Sequence, residues 1–420
     1  MKERTIVIHE GYEKNREGAM AVPIYQTTAY EFENAEHAAR LFELEENGNI
    51  YTRLMNPTTE VFEKRFASLE GGVAAIATAS GMSAIFYAIA NVAQAGENIA
   101  VAKQVYGGTT TLTGHTLKRF GIEARYFDIH NPEELESIID DDTRLILFET
   151  ISNPSIDVAD IERIVEIADR HSIVSCTDNT VATAIICKPI HHGVDLVVHS
   201  ASKYTTGQGL AIGGVIVESA SLAAKIEGNG RYRHFNEPDA SYHGLIYTEL
   251  DRAPFTARAR LSLLRDLGAA PSPFNSWLYI QGLETLPLRM VQHSQSALAI
   301  AEYLSSHPRV EKVNYPGLAD DPNHEMAKRY FKDTMCSGLL SFEVRSRDEA
   351  QKIADSLEIF SLVVNIGDSK SIVTHPASTT HQQLSSQELK AAGVPEGLIR
   401  LSIGLEDVED LIEDLDRALS

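Results

Sequence analysis

A lysine and an aspartate follow two short apolar segments of this chain. Residues 173–176 lead to Asp178, and residues 196–198 lead to Lys203. Such β-branched segments are typical of buried parallel strands, whose carboxyl ends form the ligand-binding edge of an α/β sheet. Pyridoxal phosphate requires a lysine that forms a Schiff base with its aldehyde and an aspartate that pairs with its pyridinium nitrogen. A solvated surface lysine and a helix-capping aspartate are the alternative interpretation.

Small and hydroxyl residues follow another predicted strand. Ser80, Gly81 and Met82 precede apolar residues at helical spacing. The free amides at the start of a helix attract phosphate, although a serine at this position is also an ordinary helix cap. Because Ser200 and Ser202 add hydroxyls next to the lysine, we favour a phosphate-binding cup.

Three further residues are candidates for ligand contacts. Tyr106 precedes two glycines, so its ring can stack on a flat cofactor, or it can be a core tyrosine. Asn153 precedes a proline, where a turn is common, and its functional role would be a hydrogen bond to the cofactor ring oxygen. Arg400 stands inside an apolar alternating segment. A buried arginine needs a carboxylate, either an internal one or that of an amino-acid substrate.

Composition excludes several classes of protein. The chain has 420 residues and a formal charge of −22, which disfavours binding to nucleic acid and to anionic membranes. Its three cysteines form no CxxC pair, and His375 and His381 lack acidic companions, so we expect no disulfide framework and no metal. No signal peptide or membrane-length apolar segment is found, and we expect a soluble cytoplasmic protein.

Strand and helix patterns alternate between residues 57 and 217. The predicted strands are 74–77, 99–102, 124–127, 145–148, 173–176, 196–198 and 214–217. This alternation predicts a mostly parallel sheet covered by helices on both faces. A long helix is predicted at 274–304, which Gly282 and Pro287 are expected to break or kink. We predict three regions, an N-terminal arm (1–56), a large domain (57–270) and a smaller α+β domain (271–420).

The ordered motifs resemble those of the Cys/Met-metabolism enzymes that use pyridoxal phosphate. The segments that carry the resemblance span almost the whole chain, at 51–58, 80–82, 106–109, 178–180, 199–204 and 400–402. The resemblance implies the fold of the fold-type I pyridoxal phosphate-dependent transferases. This is a mostly parallel seven-stranded sheet with helices on both faces and a smaller C-terminal α+β domain.

Other segments are similar to the O-acetylhomoserine sulfhydrylase (homocysteine synthase) branch of that family. They lie at 264–268, 272–275, 281–286, 367–371 and 375–381. This likeness implies a γ-replacement that converts O-acetyl-L-homoserine and sulfide, or a thiol, to L-homocysteine, or methionine, and acetate. The alternatives are methionine γ-lyase, cystathionine γ-synthase and, remotely, a non-catalytic protein that binds the cofactor as a sensor or scaffold.

The resemblance also implies roles for individual residues toward the cofactor. Lys203 would bond the cofactor and shuttle protons, Asp178 would pair with the pyridinium, and Tyr106 would stack on the ring. Asn153 would contact the ring oxygen. The residues implied to bind the phosphate within the same subunit are Ser80, Gly81, Met82, Ser200 and Ser202.

Four residues are implied to act at the substrate or across a subunit boundary. Ser371 and Arg400 would hold the substrate carboxylate. Tyr51 and Arg53 would reach the cofactor phosphate of the neighbouring subunit, and Tyr51 the substrate as well, so the site would need a dimer. Homotetramers, as dimers of dimers, are usual in this family. The chain departs from the family at Ser202, where threonine is usual, and at residues 207–209, which read Gly-Gln-Gly instead of Gly-His-Gly.

Overall fold

Two β-sheets organise the chain. The computed structural model describes residues 1–250, 253–379, 382 and 393–420. In chain order, the strands are β1 Ala74–Thr78, β2 Asn98–Ala102, β3 Glu123–Phe127, β4 Thr143–Glu149, β5 Val174–Asp178, β6 Leu196–His199, β7 Gly214–Glu218, β8 Lys312–Asn314, β9 Leu339–Glu343, β10 Ser361–Leu362, β11 Ile372–Thr374 and β12 Leu398–Ser402.

Helices of very different length connect and cover these strands. In chain order, the α-helices of the described residues are α1 Glu3–His9, α2 Ala35–Phe42, α3 Pro57–Glu70, α4 Gly81–Ala90, α5 Gly107–Thr111, α6 Glu134–Ile138, α7 Ile161–Arg170, α8 Thr183–Ile186, α9 Leu222–Ile226, α10 Arg233–Asn236, α11 Pro254–Arg258, α12 Arg265–Leu267, α13 Pro273–Ser306, α14 His324–Tyr330, α15 Arg347–Ser356 and α16 Val408–Leu419. In the described part of the chain, none of them is long and apolar enough to cross a membrane.

The larger sheet has seven strands in the order β1-β7-β6-β5-β4-β2-β3. Only β7 runs antiparallel to its neighbours. All seven strands predicted from the sequence are confirmed, with ends that differ by at most two residues. Every residue of β4 is buried, which requires cover on both faces of the sheet.

The register of three parallel strands brings their polar ends together. Glu149 at the end of β4 pairs with Asp178 at the end of β5, and Asp178 pairs with Val198 in β6. The chain then turns sharply, and Lys203 follows four residues after the last residue of β6. The predicted lysine and aspartate therefore lie at one edge of one sheet.

The smaller sheet has five strands in the order β10-β11-β12-β9-β8. Its strands pair antiparallel, apart from β10 with β11. Arg400 lies in β12 and pairs with Thr374 of β11 and Ser341 of β9. The three-region division at 1–56, 57–270 and 271–420 stays a prediction. Within the first 56 residues, α1 packs against α3 and α13.

The long helix predicted at 274–304 is confirmed as α13, and it runs without a break through Gly282 and Pro287, so the expectation of a break is wrong. A Cβ on Gly282 would lie 2.1 Å from the carbonyl oxygen of Thr205, so glycine lets the helix pack directly on that backbone. The Gly282 carbonyl also accepts a hydrogen bond from Arg289 Nη2, at 2.8 Å. Pro287 removes the backbone donor to the Leu283 carbonyl, yet the segment remains helical from Pro273 to Ser306.

We predict that Gly282→Ala destabilises the protein. The added methyl would push α13 away from Thr205, and overpacking of this kind costs roughly 1–3 kcal/mol in the free energy of unfolding. Thermal and denaturant unfolding measure the change. Gly230→Ala is the control, because a Cβ there meets nothing within 4 Å. Equal unfolding midpoints for the two variants would contradict the close approach.

Candidate active site

A cavity of about 580 Å³ opens at the carboxyl edge of the larger sheet. This is the size of a typical small-molecule site. It brings together most of the predicted site residues, namely Ser80, Gly81, Met82, Tyr106, Asn153, Asp178, Ser200, Ser202, Lys203 and Arg400.

The amino end of α4 forms one wall. Ser80 caps the helix, and its Oγ accepts a hydrogen bond from the backbone N–H of Ser83 at 3.0 Å. A Cβ on Gly81 would lie 2.7 Å from Cβ of Ser200, so only glycine allows this close contact between the helix and the lysine loop. Ser202 Oγ accepts from the N–H of Gly213 at 3.0 Å, which ties the lysine loop to the start of β7. A helix amino end beside two serines is suited to an anion such as phosphate.

Lys203 presents its amine inside this cavity. Nζ donates a hydrogen bond to Asn365 Oδ1 at 2.6 Å. Burial, and then the positive charge of Arg400, lower the pKa of Lys203 to about 8. The neutral amine, which is the form that acts as a base or a nucleophile, is therefore accessible near neutral pH.

Asp178 is an acidic residue at the same edge of the sheet. Its Oδ1 accepts from the backbone N–H of Thr180 at 2.9 Å, and Thr180 Oγ1 accepts from the N–H of Ser200 at 2.8 Å. Burial raises the pKa of Asp178, although the hydrogen bonds from Thr180 and, to a smaller extent, the nearby His199 oppose that rise. A cationic ligand group beside this carboxylate would favour its ionised form.

Arg400 is buried in the cavity without a carboxylate partner in the part of the chain described. Nη1 donates to Asn153 Oδ1 at 2.9 Å, and Nη2 donates to Thr374 Oγ1 and to the carbonyl oxygen of Asn365, each at 3.0 Å. Burial lowers the pKa of Arg400 to about 10. The internal ion pair considered from the sequence is thus not formed by the described residues. This guanidinium retains its attraction for an incoming carboxylate.

Tyr106 and Asn153 stand on two loops that a single carboxyl connects. Glu149 Oε1 accepts from the N–H of Tyr106 at 2.6 Å, and Oε2 accepts from the N–H of Asn153 at 3.2 Å. The Tyr106 side chain lines the cavity and is 41% exposed, so its ring is accessible to a ligand.

Three predicted site residues do not line this cavity. Ser371 is buried elsewhere, where its Oγ donates to Glu406 Oε2 at 2.8 Å and accepts from the N–H of Gly404 at 2.9 Å. Tyr51 and Arg53 are exposed, and the Arg53 guanidinium lies 5.2 Å from the centre of the Tyr51 ring.

The sequence reasoning missed Asn365, Glu149 and Thr180. Glu149 ends a predicted strand, in the same way as Asp178, and this signal could have identified it. Asn365 follows exposed apolar residues of the smaller domain, and no pattern in the sequence connects it to Lys203. His375 lies within hydrogen-bond distance of Ser378 and of the Glu396 carbonyl, whereas His381 lies outside the described residues.

Comparison with known proteins identifies the class to which the chain belongs. A sequence model of the family described as Cys/Met metabolism PLP-dependent enzyme matches residues 4–420. The chain is 46% identical to the O-acetyl-L-homoserine sulfhydrylase of Leptospira meyeri, over 100% of this chain and 96% of that protein. It is 43% identical to the homocysteine synthase of Schizosaccharomyces pombe, over 99% of this chain and 97% of that one.

A solved structure has the same fold over the full length of both chains. This is a Campylobacter jejuni protein assigned as an O-acetylhomoserine (thiol)-lyase, with 51% identity and a TM-score of 0.98, and it carries a pyridoxyl-lysine phosphate at position 205. The present chain therefore belongs to the Cys/Met-metabolism family of enzymes that depend on pyridoxal phosphate, and it has the fold of that family.

We predict that the Lys203 amine reacts with acetic anhydride with a midpoint near pH 8 in the cofactor-free protein. Only the neutral amine reacts, and burial and Arg400 disfavour the ammonium form. Arg400→Gln removes one of these causes, so the pKa should rise and the midpoint should move to higher pH. Peptide mass spectrometry measures acetylation as a function of pH. Arg119→Gln, an exposed arginine outside the cavity, is the control, and equal midpoints for both variants would contradict the coupling.

Proposed function

We propose that this chain catalyses a γ-replacement in which O-acetyl-L-homoserine and sulfide, or a thiol, give L-homocysteine, or methionine, and acetate. The observation that carries the proposal is the position of Arg400, which is buried without a carboxylate partner among the described residues and lines the same cavity as the Lys203 amine. A guanidinium of this kind suits the carboxylate of an amino acid. The names of the full-length relatives support the choice of O-acetyl-L-homoserine as that amino acid.

The cavity fits pyridoxal phosphate. A helix amino end beside serine hydroxyls matches the phosphate, the Asp178 carboxyl matches the ring nitrogen, and the Lys203 amine matches the aldehyde. The residues that would hold the cofactor are Ser80, Gly81, Met82, Tyr106, Asn153, Asp178, Ser200, Ser202 and Lys203. When bound, the cofactor supplies an electron sink for the negative charge that develops on the substrate.

Arg400 and Lys203 have separate roles in the proposed reaction. Arg400 binds the substrate carboxylate and orients the α-carbon toward Lys203. The neutral Lys203 amine removes the α-proton and assists the loss of a β-proton, while acetate departs as the γ-carbon–oxygen bond breaks. Sulfide then forms the γ-carbon–sulfur bond, and the Lys203 ammonium returns one proton to the β-carbon and one to the α-carbon, so that both protons removed earlier are restored. Asn365 is placed to accept a hydrogen bond from the lysine during these transfers.

The site is completed by a second copy of the chain in this proposal. Tyr51 and Arg53, in the segment 1–56, are exposed and lie outside their own cavity. The cavity rim also exposes Leu210, Ile212 and Val364, by 61%, 67% and 52%. An apolar rim of this kind favours burial against a partner. We propose that Tyr51 and Arg53 of one subunit reach the phosphate in its neighbour, within a dimer or a dimer of dimers.

We predict that Lys203→Ala abolishes turnover and the visible absorbance of the bound cofactor, because no other lysine among the described residues lines the cavity. Product analysis of the wild-type protein with O-acetyl-L-homoserine, with and without sulfide, tests the reaction type. Homocysteine that forms only with sulfide supports γ-replacement. A keto acid and ammonia released equally well without sulfide would mean γ-elimination, as in a methionine γ-lyase.

Mixed subunits test the shared site. Arg53→Ala and Lys203→Ala should each inactivate, yet a mixture refolded at equal amounts should regain about a quarter of wild-type activity. This follows because half of the dimers are hybrids and each hybrid has one intact site. The activity of separately refolded and then combined variants is the control. A mixture as inactive as its components would place Arg53 in its own subunit's site, whereas an active Arg53→Ala variant would place it in none.

A further inference from the structure

A buried carboxyl that the proposed reaction does not use lies in the wall of the cavity. Glu149 ends β4 and is 4% exposed. Each of its two oxygens accepts one backbone N–H, that of Tyr106 at 2.6 Å and that of Asn153 at 3.2 Å. These two donors belong to different loops, one after β2 and one after β4, so the carboxyl joins loops that are far apart in the sequence.

Each of these loops carries a side chain that lines the cavity. Tyr106 presents its ring. Asn153 uses Oδ1 to accept from Arg400 Nη1 at 2.9 Å. A shift of the Asn153 backbone would therefore move the acceptor that orients the guanidinium. Glu149 is connected in this way to the ring and to the carboxylate-binding group, although it contacts neither Arg400 nor Lys203 by a hydrogen bond.

The surroundings of Glu149 are unfavourable for a carboxyl. Burial, followed by the charge of Asp178, raises the pKa of Glu149 well above its usual range, and the two backbone donors oppose that rise. No lysine, arginine or histidine of the described residues forms an ion pair with it. The two backbone hydrogen bonds therefore offset part of the free-energy cost of burying the Glu149 carboxyl.

Glu218 provides a comparison within the same sheet. It ends β7 at the opposite edge, is buried, and accepts the backbone N–H groups of Phe255 and Thr256 at 3.3 and 2.7 Å. Burial raises its pKa to about 7. The two carboxyls have the same chemistry, and only Glu149 acts on loops that line the cavity.

We propose that Glu149 is a positioning residue that fixes Tyr106 against the cofactor ring and, through Asn153, sets Arg400 for the substrate carboxylate. The identity of the substrate in this proposal rests on the proposed function. The role of Tyr106 rests on the cofactor of the family. Glutamine at 149 has one acceptor oxygen and one amide donor, so one of the two loops must lose its hydrogen bond. The shorter contact is to Tyr106, and we expect the Asn153 loop to be released.

The experiment compares Glu149→Gln with Glu218→Gln as the matched control. Pyridoxal phosphate is titrated into the cofactor-free proteins and followed by absorbance, and KM and kcat for O-acetyl-L-homoserine are measured on the loaded proteins. For E149Q we expect about a tenfold rise in the cofactor dissociation constant and in KM, with kcat within about threefold. For E218Q we expect neither change, although its unfolding temperature falls.

A double-mutant cycle with Asn153→Ala tests the route through Asn153. If Glu149 acts through that side chain, E149Q should add little to the KM of N153A. The aspartate side chain of the Glu149→Asp variant is about 1.5 Å shorter, so this variant should show the same rise in KM. It replaces E149Q in the experiment if E149Q does not fold.

Equal cofactor affinity and KM in E149Q and E218Q would overturn the proposal, as would fully additive effects of E149Q and N153A. A wild-type protein that makes no homocysteine would refute the proposed reaction, while the cofactor titration would still decide the role of Glu149.

Discussion

Two cations share one buried cavity, and among the residues described neither has a carboxylate partner. Burial disfavours both charges and lowers the pKa of Arg400 to about 10, while burial and then the positive charge of Arg400 lower the pKa of Lys203 to about 8. Amide and hydroxyl oxygens, from Asn153, Asn365 and Thr374, solvate them in place of carboxylates. Neutral acceptors hold the side chains in position without cancelling their charge. The attraction for an anionic ligand is therefore preserved, at a cost that the rest of the fold must offset.

Both sheets contribute side chains to this cavity. The larger sheet supplies Lys203 and Asp178 from the carboxyl ends of parallel strands, and the smaller sheet supplies Arg400 from the middle of β12. Asn365 joins them, because its side chain accepts from Lys203 and its backbone carbonyl accepts from Arg400. The helix α13 packs through Gly282 on the backbone of Thr205, which follows Lys203 closely in the chain, and this contact holds the lysine loop against the helix. A small shift of one sheet relative to the other would move Arg400 away from Lys203.

The strands and the edge that carries the site could be predicted because they depend on local pattern. Buried parallel strands are short β-branched segments, and their polar ends must leave the sheet at one edge. That rule is sufficient to predict that Asp178, Lys203 and Ser80 lie close together. The helix α13 was predicted correctly from its pattern, but its continuity through Gly282 and Pro287 was not, because propensity counts both residues as interruptions, whereas the packing of Gly282 on Thr205 is a tertiary contact.

The sequence by itself determined the α/β class, the seven strands, the family and the residues that end strands at the cavity. The tertiary structure alone decided which distant groups meet there. It brought Asn365 to Lys203, left Arg400 without a carboxylate among the described residues, connected Tyr106 to Asn153 through Glu149, and placed Ser371 with Glu406 outside the cavity. The reason is physical. Strand periodicity is a property of neighbouring residues, whereas these contacts depend on how two sheets pack, and that packing is set by the whole core.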